Sequence, residues 1–169
     1  MESLATLTWE DVKFLAPEIV LSLFTVVLAV CDLFFPKRWN RNIIGWLAIA
    51  GLVLAAVFVA VQMGTVYTIL GGSYRIDDFG NILKLVFLGA TIFVILSSLG
   101  SVRSKDVPIK GEFYYLMLPA ALGAMVMSSS GDLITLYVGL ELLGISTYVL
   151  AAMRKRSSQS GEAAFKYLV

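Results

Sequence analysis

Glu141 is the residue best placed for chemistry. It lies two residues from the centre of residues 133–153, LITLYVGLELLGISTYVLAAM, and is the one charged side chain in those 21 residues. A helix of that length spans the ~30 Å hydrocarbon core of a bilayer. A charge at that depth costs about 3 kcal/mol on insertion scales. Residues so placed usually face a protein interior and handle protons or ions. Apolar surroundings favour the neutral acid of an unpaired carboxyl, and a nearby lysine favours the carboxylate. A carboxylate whose lysine partner can approach or retreat is therefore a proton switch. The alternative is a protonated glutamate that only packs and hydrogen-bonds.

Two lysines are candidate partners. Lys166 stands about six residues into the last apolar stretch, ~9 Å from its start. Glu141 is twelve residues above the end of its own run, or ~18 Å. The ~9 Å difference in depth favours a water-bridged relay over a direct ion pair. A lysine that snorkels to the interface is the competing account of Lys166. Lys84, five residues inside another apolar run, is the weaker proton-transfer candidate. Snorkelling explains it best, with Asp78 as a neighbour. Glu18 and Glu112 read as helix N-terminal charges that suit the dipole. Asp32 reads as an interfacial charge, and Cys31 as a small apolar packing residue.

The elements that must hold these residues are membrane helices. The chain has 169 residues, of which 59% are hydrophobic and 15% charged, against ~25% charged in soluble domains. Complete spans are expected near 15–35, 43–62, 79–102, 113–129 and 133–153, each of bilayer-crossing length. Pro17 suits a first helical turn, and Pro36 ends that helix. Pro119 falls inside the fourth span, where a kink is expected. A sixth helix begins near Ser160 and reaches Val169, too short to cross, so the chain reads as part of a longer protein. The fold class is thus all-α: a polytopic membrane bundle of five complete transmembrane helices and the start of a sixth. The acidic opening, MESLATLTWEDVKF, does not read as a cleavable signal peptide.

Charge sets the orientation. The loops after the first, third and fifth spans hold Lys37, Arg38, Arg41, Arg103, Lys105, Lys110, Arg154, Lys155 and Arg156, nine of the thirteen basic residues. The other side carries Lys13 and Arg75 among six acidic residues. The positive-inside rule puts the N-terminus outside. Between the second and third spans, Gly71-Gly72 sits among strand-forming residues, and a short hairpin or a plain loop both fit. There is no histidine and one cysteine, which excludes haem ligation by histidine, a cysteine-held iron–sulfur cluster and an internal disulfide. The chain carries no nucleotide or metal motif, and nucleic acid is not an expected partner.

Residues 113–169 carry a resemblance. SSGDLITLYVGLELLGISTYVL, the basic MRKR turn and the EAAFKYL helix opening resemble the antiporter-like subunit N of respiratory complex I. APEIVLSLF…DLFFP and IDDFGNILKLVF are also similar to that family. The resemblance covers essentially the whole chain. It implies the N-terminal portion of a fourteen-helix proton-translocating subunit built on two inverted five-helix repeats. Residues 1–111 would be the three peripheral helices, and 112–169 the start of the first repeat. It implies a proton-channel glutamate at Glu141, paired in the family with a lysine on a broken seventh helix, and a relay residue at Lys166. No cofactor is expected in this chain; the parent enzyme would use NADH, FMN, iron–sulfur clusters and quinone. Implied partners are the lipid bilayer, neighbouring antiporter-like subunit M and small subunit K, in a bacterial plasma membrane. A sodium/proton antiporter or membrane-bound hydrogenase subunit would share these motifs. A non-transporting scaffold is the reading from another class.

Overall fold

The computed structural model describes residues 8–34, 42–101, 110–153 and 166. A six-residue helix α1 (Trp9–Phe14) opens them. Five long helices follow: α2 (Ala16–Phe34), α3 (Asn42–Val61), α4 (Asp78–Ser101), α5 (Lys110–Ser128) and α6 (Leu133–Ala152). They match the expected apolar runs to within a few residues at each end. α2, α3, α6 and the Asp78–Leu99 part of α4 are long and apolar enough to cross a membrane. α5 is helical across the fourth expected span and continues through Pro119, but it opens with the polar Lys110 and Glu112. The expected sixth helix lies outside the described residues, apart from Lys166, which is helical and exposed.

Packing centres on α5, which touches α2, α3, α4 and α6. Leu21, Leu52, Leu88, Tyr114, Leu118 and Met125 form the heart of the core, all fully buried. Lipid tails are as apolar as leucine, so shape fit and close approach hold such a bundle more than burial from water does. α6 is the outlier, with 11% of its span buried, packed chiefly on α5.

One end of the bundle carries a roof. β1 (Tyr67–Ile69) and β2 (Tyr74–Ile76) form an antiparallel hairpin, with Tyr67 opposite Ile76. Of the two readings of this segment, the hairpin is the one formed. Its connection bends through Leu70, Gly71 and Gly72, all at positive φ, a conformation open to glycine without a Cβ penalty. The hairpin is fastened to the α5–α6 turn: Arg75 N donates to Ser129 O at 2.7 Å, and Gly131 N to Ser73 O at 2.7 Å. A Cβ at Gly131 would collide with the Gly72 carbonyl, so this junction demands glycine. α1 is tied in from the other side. The Gln62 side-chain amide donates to the Lys13 and Phe14 carbonyls, and Phe14 stacks on Tyr67 at 4.4 Å.

Candidate functional site

Glu141 projects from α6 on the side away from α5. The cause is a glycine pair. Gly139 is buried at the α5 contact, where a Cβ would lie 2.9 Å from the Gly123 carbonyl and 2.7 Å from Met127. A Cβ on Gly123 would lie 2.6 Å from Leu143 N and 2.7 Å from the Gly139 carbonyl. The backbones therefore meet at these two residues, as small residues allow in membrane helices. Two residues further along a helix is about 200° around it, so a buried Gly139 turns Glu141 outward. Glu141 is accordingly exposed on this bundle. The expectation that it faces an interior is not met within the described residues. Tyr137, one turn earlier on the same face, brings its hydroxyl beside the carboxylate. Asp132 caps this helix: its Oδ1 accepts from Thr135 N at 2.7 Å. Bonds from Ser73 and Thr135 hold its carboxyl below the usual range.

Lys84 corrects the snorkelling expectation. Its side chain is 0% exposed, and Nζ lies 2.8 Å from Glu18 Oε1. Nζ also donates to the Tyr74 hydroxyl at 3.1 Å, and that hydroxyl donates to Glu18 Oε1 at 2.6 Å. Asp78, its expected neighbour, instead accepts from Gly64 N at 2.6 Å. Three elements thus contribute one group each: α2 the carboxylate, β2 the phenol and α4 the ammonium. Burial, and then the Glu18 charge, push the Tyr74 hydroxyl up, so it stays a proton donor to Glu18. The same contacts extend the reading of Glu18, which is both a first-turn acid of α2 and half of a buried pair.

The signal for this pair was present in the chain. α2 and α4 both start at the hairpin end, with Glu18 about 3 Å and Lys84 about 9 Å along their helices. Helical side chains lean toward the N-terminus, so the lysine stem closes that difference. Asp32 lies at the opposite end of the bundle, near the end of α2. It approaches the first turn of α5, where a Cβ on Gly111 would strike its carboxylate, a favourable place for an anion at a helix N-terminus. Lys84 is sealed under the hairpin and does not accompany Glu141.

Known proteins resemble this chain in sequence and fold. A family profile described as "NADH:quinone oxidoreductase/Mrp antiporter, TM" matches residues 130–169, which include α6 and Glu141. NADH-quinone oxidoreductase subunit N of Paenibacillus sp. (strain JDR-2) is 51% identical over all of this chain and 36% of the relative's length. The subunit of that name from Brevibacillus brevis is 49% identical over 94% of this chain and 32% of its own. A solved structure of respiratory complex I from Thermus thermophilus contains a chain that superposes with a TM-score of 0.71 at 29% identity. That match covers 90% of this chain and 32% of the other. The chain spans about a third of the length of these relatives. An identity near one half along essentially the whole chain, joined to the matching helical arrangement, places it: the chain belongs to the family of NADH-quinone oxidoreductase subunit N.

Proposed function

We propose that this chain forms part of a membrane subunit of proton-translocating NADH:quinone oxidoreductase and takes part in proton translocation coupled to quinone reduction. The observation that carries the reading is the 51% identity to a subunit of that name across the whole chain. Glu141 is the proton-transfer residue, and Lys166 a relay residue further along. The outward aim of Glu141 supports this, because a carboxylate at mid-membrane is retained where protein or a water-lined path receives it. Five membrane crossings, with the N-terminus outside, complete the reading, and the acidic hairpin face and the basic loops support that orientation. The parent complex, in a bacterial plasma membrane, would supply NADH oxidation, FMN, iron–sulfur clusters and quinone reduction. Antiporter-like subunit M and small subunit K would flank this subunit.

Glu141→Gln in the full-length subunit, within its parent complex in vesicles, tests the proposal. The expected result is fewer protons moved per NADH oxidised, or slowed turnover, with assembly intact. Unchanged stoichiometry and turnover would overturn it. The description of the matched profile also covers Mrp antiporters, which favours a sodium/proton antiporter subunit as the second reading. Sodium-driven pH changes in vesicles lacking NADH and quinone would support that reading instead.

A further inference from the structure

The ion pair under the hairpin has features that packing alone does not require. Replacing a buried ion pair with apolar residues of similar volume is often neutral or stabilising. Glu18 uses one carboxylate oxygen for both Lys84 and Tyr74. Its other oxygen, Oε2, is buried and takes no hydrogen bond among the described residues. Three more buried oxygens take no hydrogen bond among the described residues: Gln62 Oε1, Asn81 Oδ1 and Ser129 Oγ. Asn81 lies one turn before Lys84 on α4 and donates to the Gln62 carbonyl at 3.3 Å. The Ser129 hydroxyl sits near that of Tyr74 without good hydrogen-bond geometry. Buried oxygens of this kind are satisfied by internal water, which needs two to four polar neighbours.

We propose that Glu18, Lys84 and Tyr74 form a hydrated proton-holding site, separate from Glu141, that exchanges protons with the aqueous phase at the hairpin end. In the resting cluster, carboxylate and ammonium cancel. Uptake forms an O–H bond at Glu18 Oε2 from a hydronium ion, leaves a neutral acid beside the lysine cation and releases water. Return of that proton to water restores the pair. The groups that touch Glu18 are Lys84 from α4 and Tyr74 from β2, with the neutral Ser129 beyond Tyr74 at the end of α5. Arg75 is exposed and Asp77 half-buried on the hairpin's flank. On α1, Lys13 is exposed and pairs with Glu10, while Asp11 is engaged by Thr8.

This inference deepens the proton-translocation reading and rests on it for its purpose, but its test is separate. Infrared difference spectra of the full-length subunit in its parent complex, with isotope-labelled glutamate, are recorded as pH is stepped at the hairpin face. A protonated-carboxyl band that titrates is expected. One component of it should be lost in Glu18→Gln, shifted but retained in Glu18→Asp, and still present in Glu141→Gln. Absence of any titrating carboxyl band in the wild-type complex overturns the proposal whatever the variants do. So does a titrating carboxyl signal that is identical in wild type and Glu18→Gln, or a Glu18-dependent component that disappears in Glu141→Gln. Intact proton stoichiometry in Glu141→Gln would remove the translocation reading while leaving the band to decide this one.

Discussion

The glycine contact between α5 and α6 can be measured against a built-in control. Gly123→Ala places a methyl 2.6 Å from Leu143 N and 2.7 Å from the Gly139 carbonyl. Both neighbours are backbone, so neither can rotate away. Restoring ordinary contact requires the helices to part by about 0.8 Å there. Overpacking of this kind costs about 1–3 kcal/mol, while alanine gains about 1 kcal/mol over glycine in a helix interior. Gly89→Ala on α4 makes the same chemical change with nothing within 4 Å of the new methyl. The propensity gain is common to both variants and cancels in their difference. Gly123→Ala should therefore be less stable than Gly89→Ala by about 1–3 kcal/mol. Unfolding of the full-length subunit in mixed micelles, titrated with a denaturing detergent, measures that difference. Equal stability of the two variants would refute the reasoning, and with it the claim that backbone contact aims Glu141.

Three further outcomes follow from the hairpin end. Lys84→Met strands a buried carboxylate and should cost about 3–5 kcal/mol, softened by the remaining Tyr74 bond, whereas Glu18→Leu with Lys84→Met should regain most of that loss. A double-mutant cycle in the same unfolding assay reads the coupling, and additive losses would contradict the ion pair. The Asp132 carboxyl is held below its ordinary value of 3.8. Its contribution to stability is therefore complete above about pH 4 and is lost as pH falls through the lower folded value. Wild type should lose stability over that acid range more steeply than Asp132→Asn, by unfolding midpoints taken across pH. Gly131→Ala should detach the hairpin from the α5–α6 turn, read as faster amide exchange at residues 67–76; unchanged exchange would refute the clash with Gly72.

The helices were legible because each is a long apolar run between charged or proline-marked ends. Their faces were not. α6 is apolar almost all round, so hydropathy does not show which side packs, and Gly139 decides it through backbone approach. The Gly71-Gly72 signal left hairpin and loop open, because the deciding bonds go to Ser129 and Gly131, far along the chain. Glu141 stood out because it is alone in its run. Lys84 was misread for a related reason: near a span's edge, a lysine that reaches water and one that reaches a distant glutamate have the same local sequence. The contacts that α2 and β2 make with Lys84 in the fold distinguish them.

The buried cluster also sets a problem of timing during synthesis. Tyr74 follows Glu18 by 56 residues, and Lys84 comes later still. At ~5–20 residues per second, about 3–11 seconds pass between translation of the carboxylate and of its first partner. Through that interval α2 presents an acid without Lys84, the cation that pairs with it in the finished fold. The cheapest state for that carboxyl near the membrane is neutral. The proton it takes up must leave when α4 arrives and the hairpin closes over the pair. Completion of the three-helix sector is thus itself a deprotonation event. Slowing translation between α2 and α4 should make membrane insertion sensitive to pH at the hairpin face, long before any quinone is reduced.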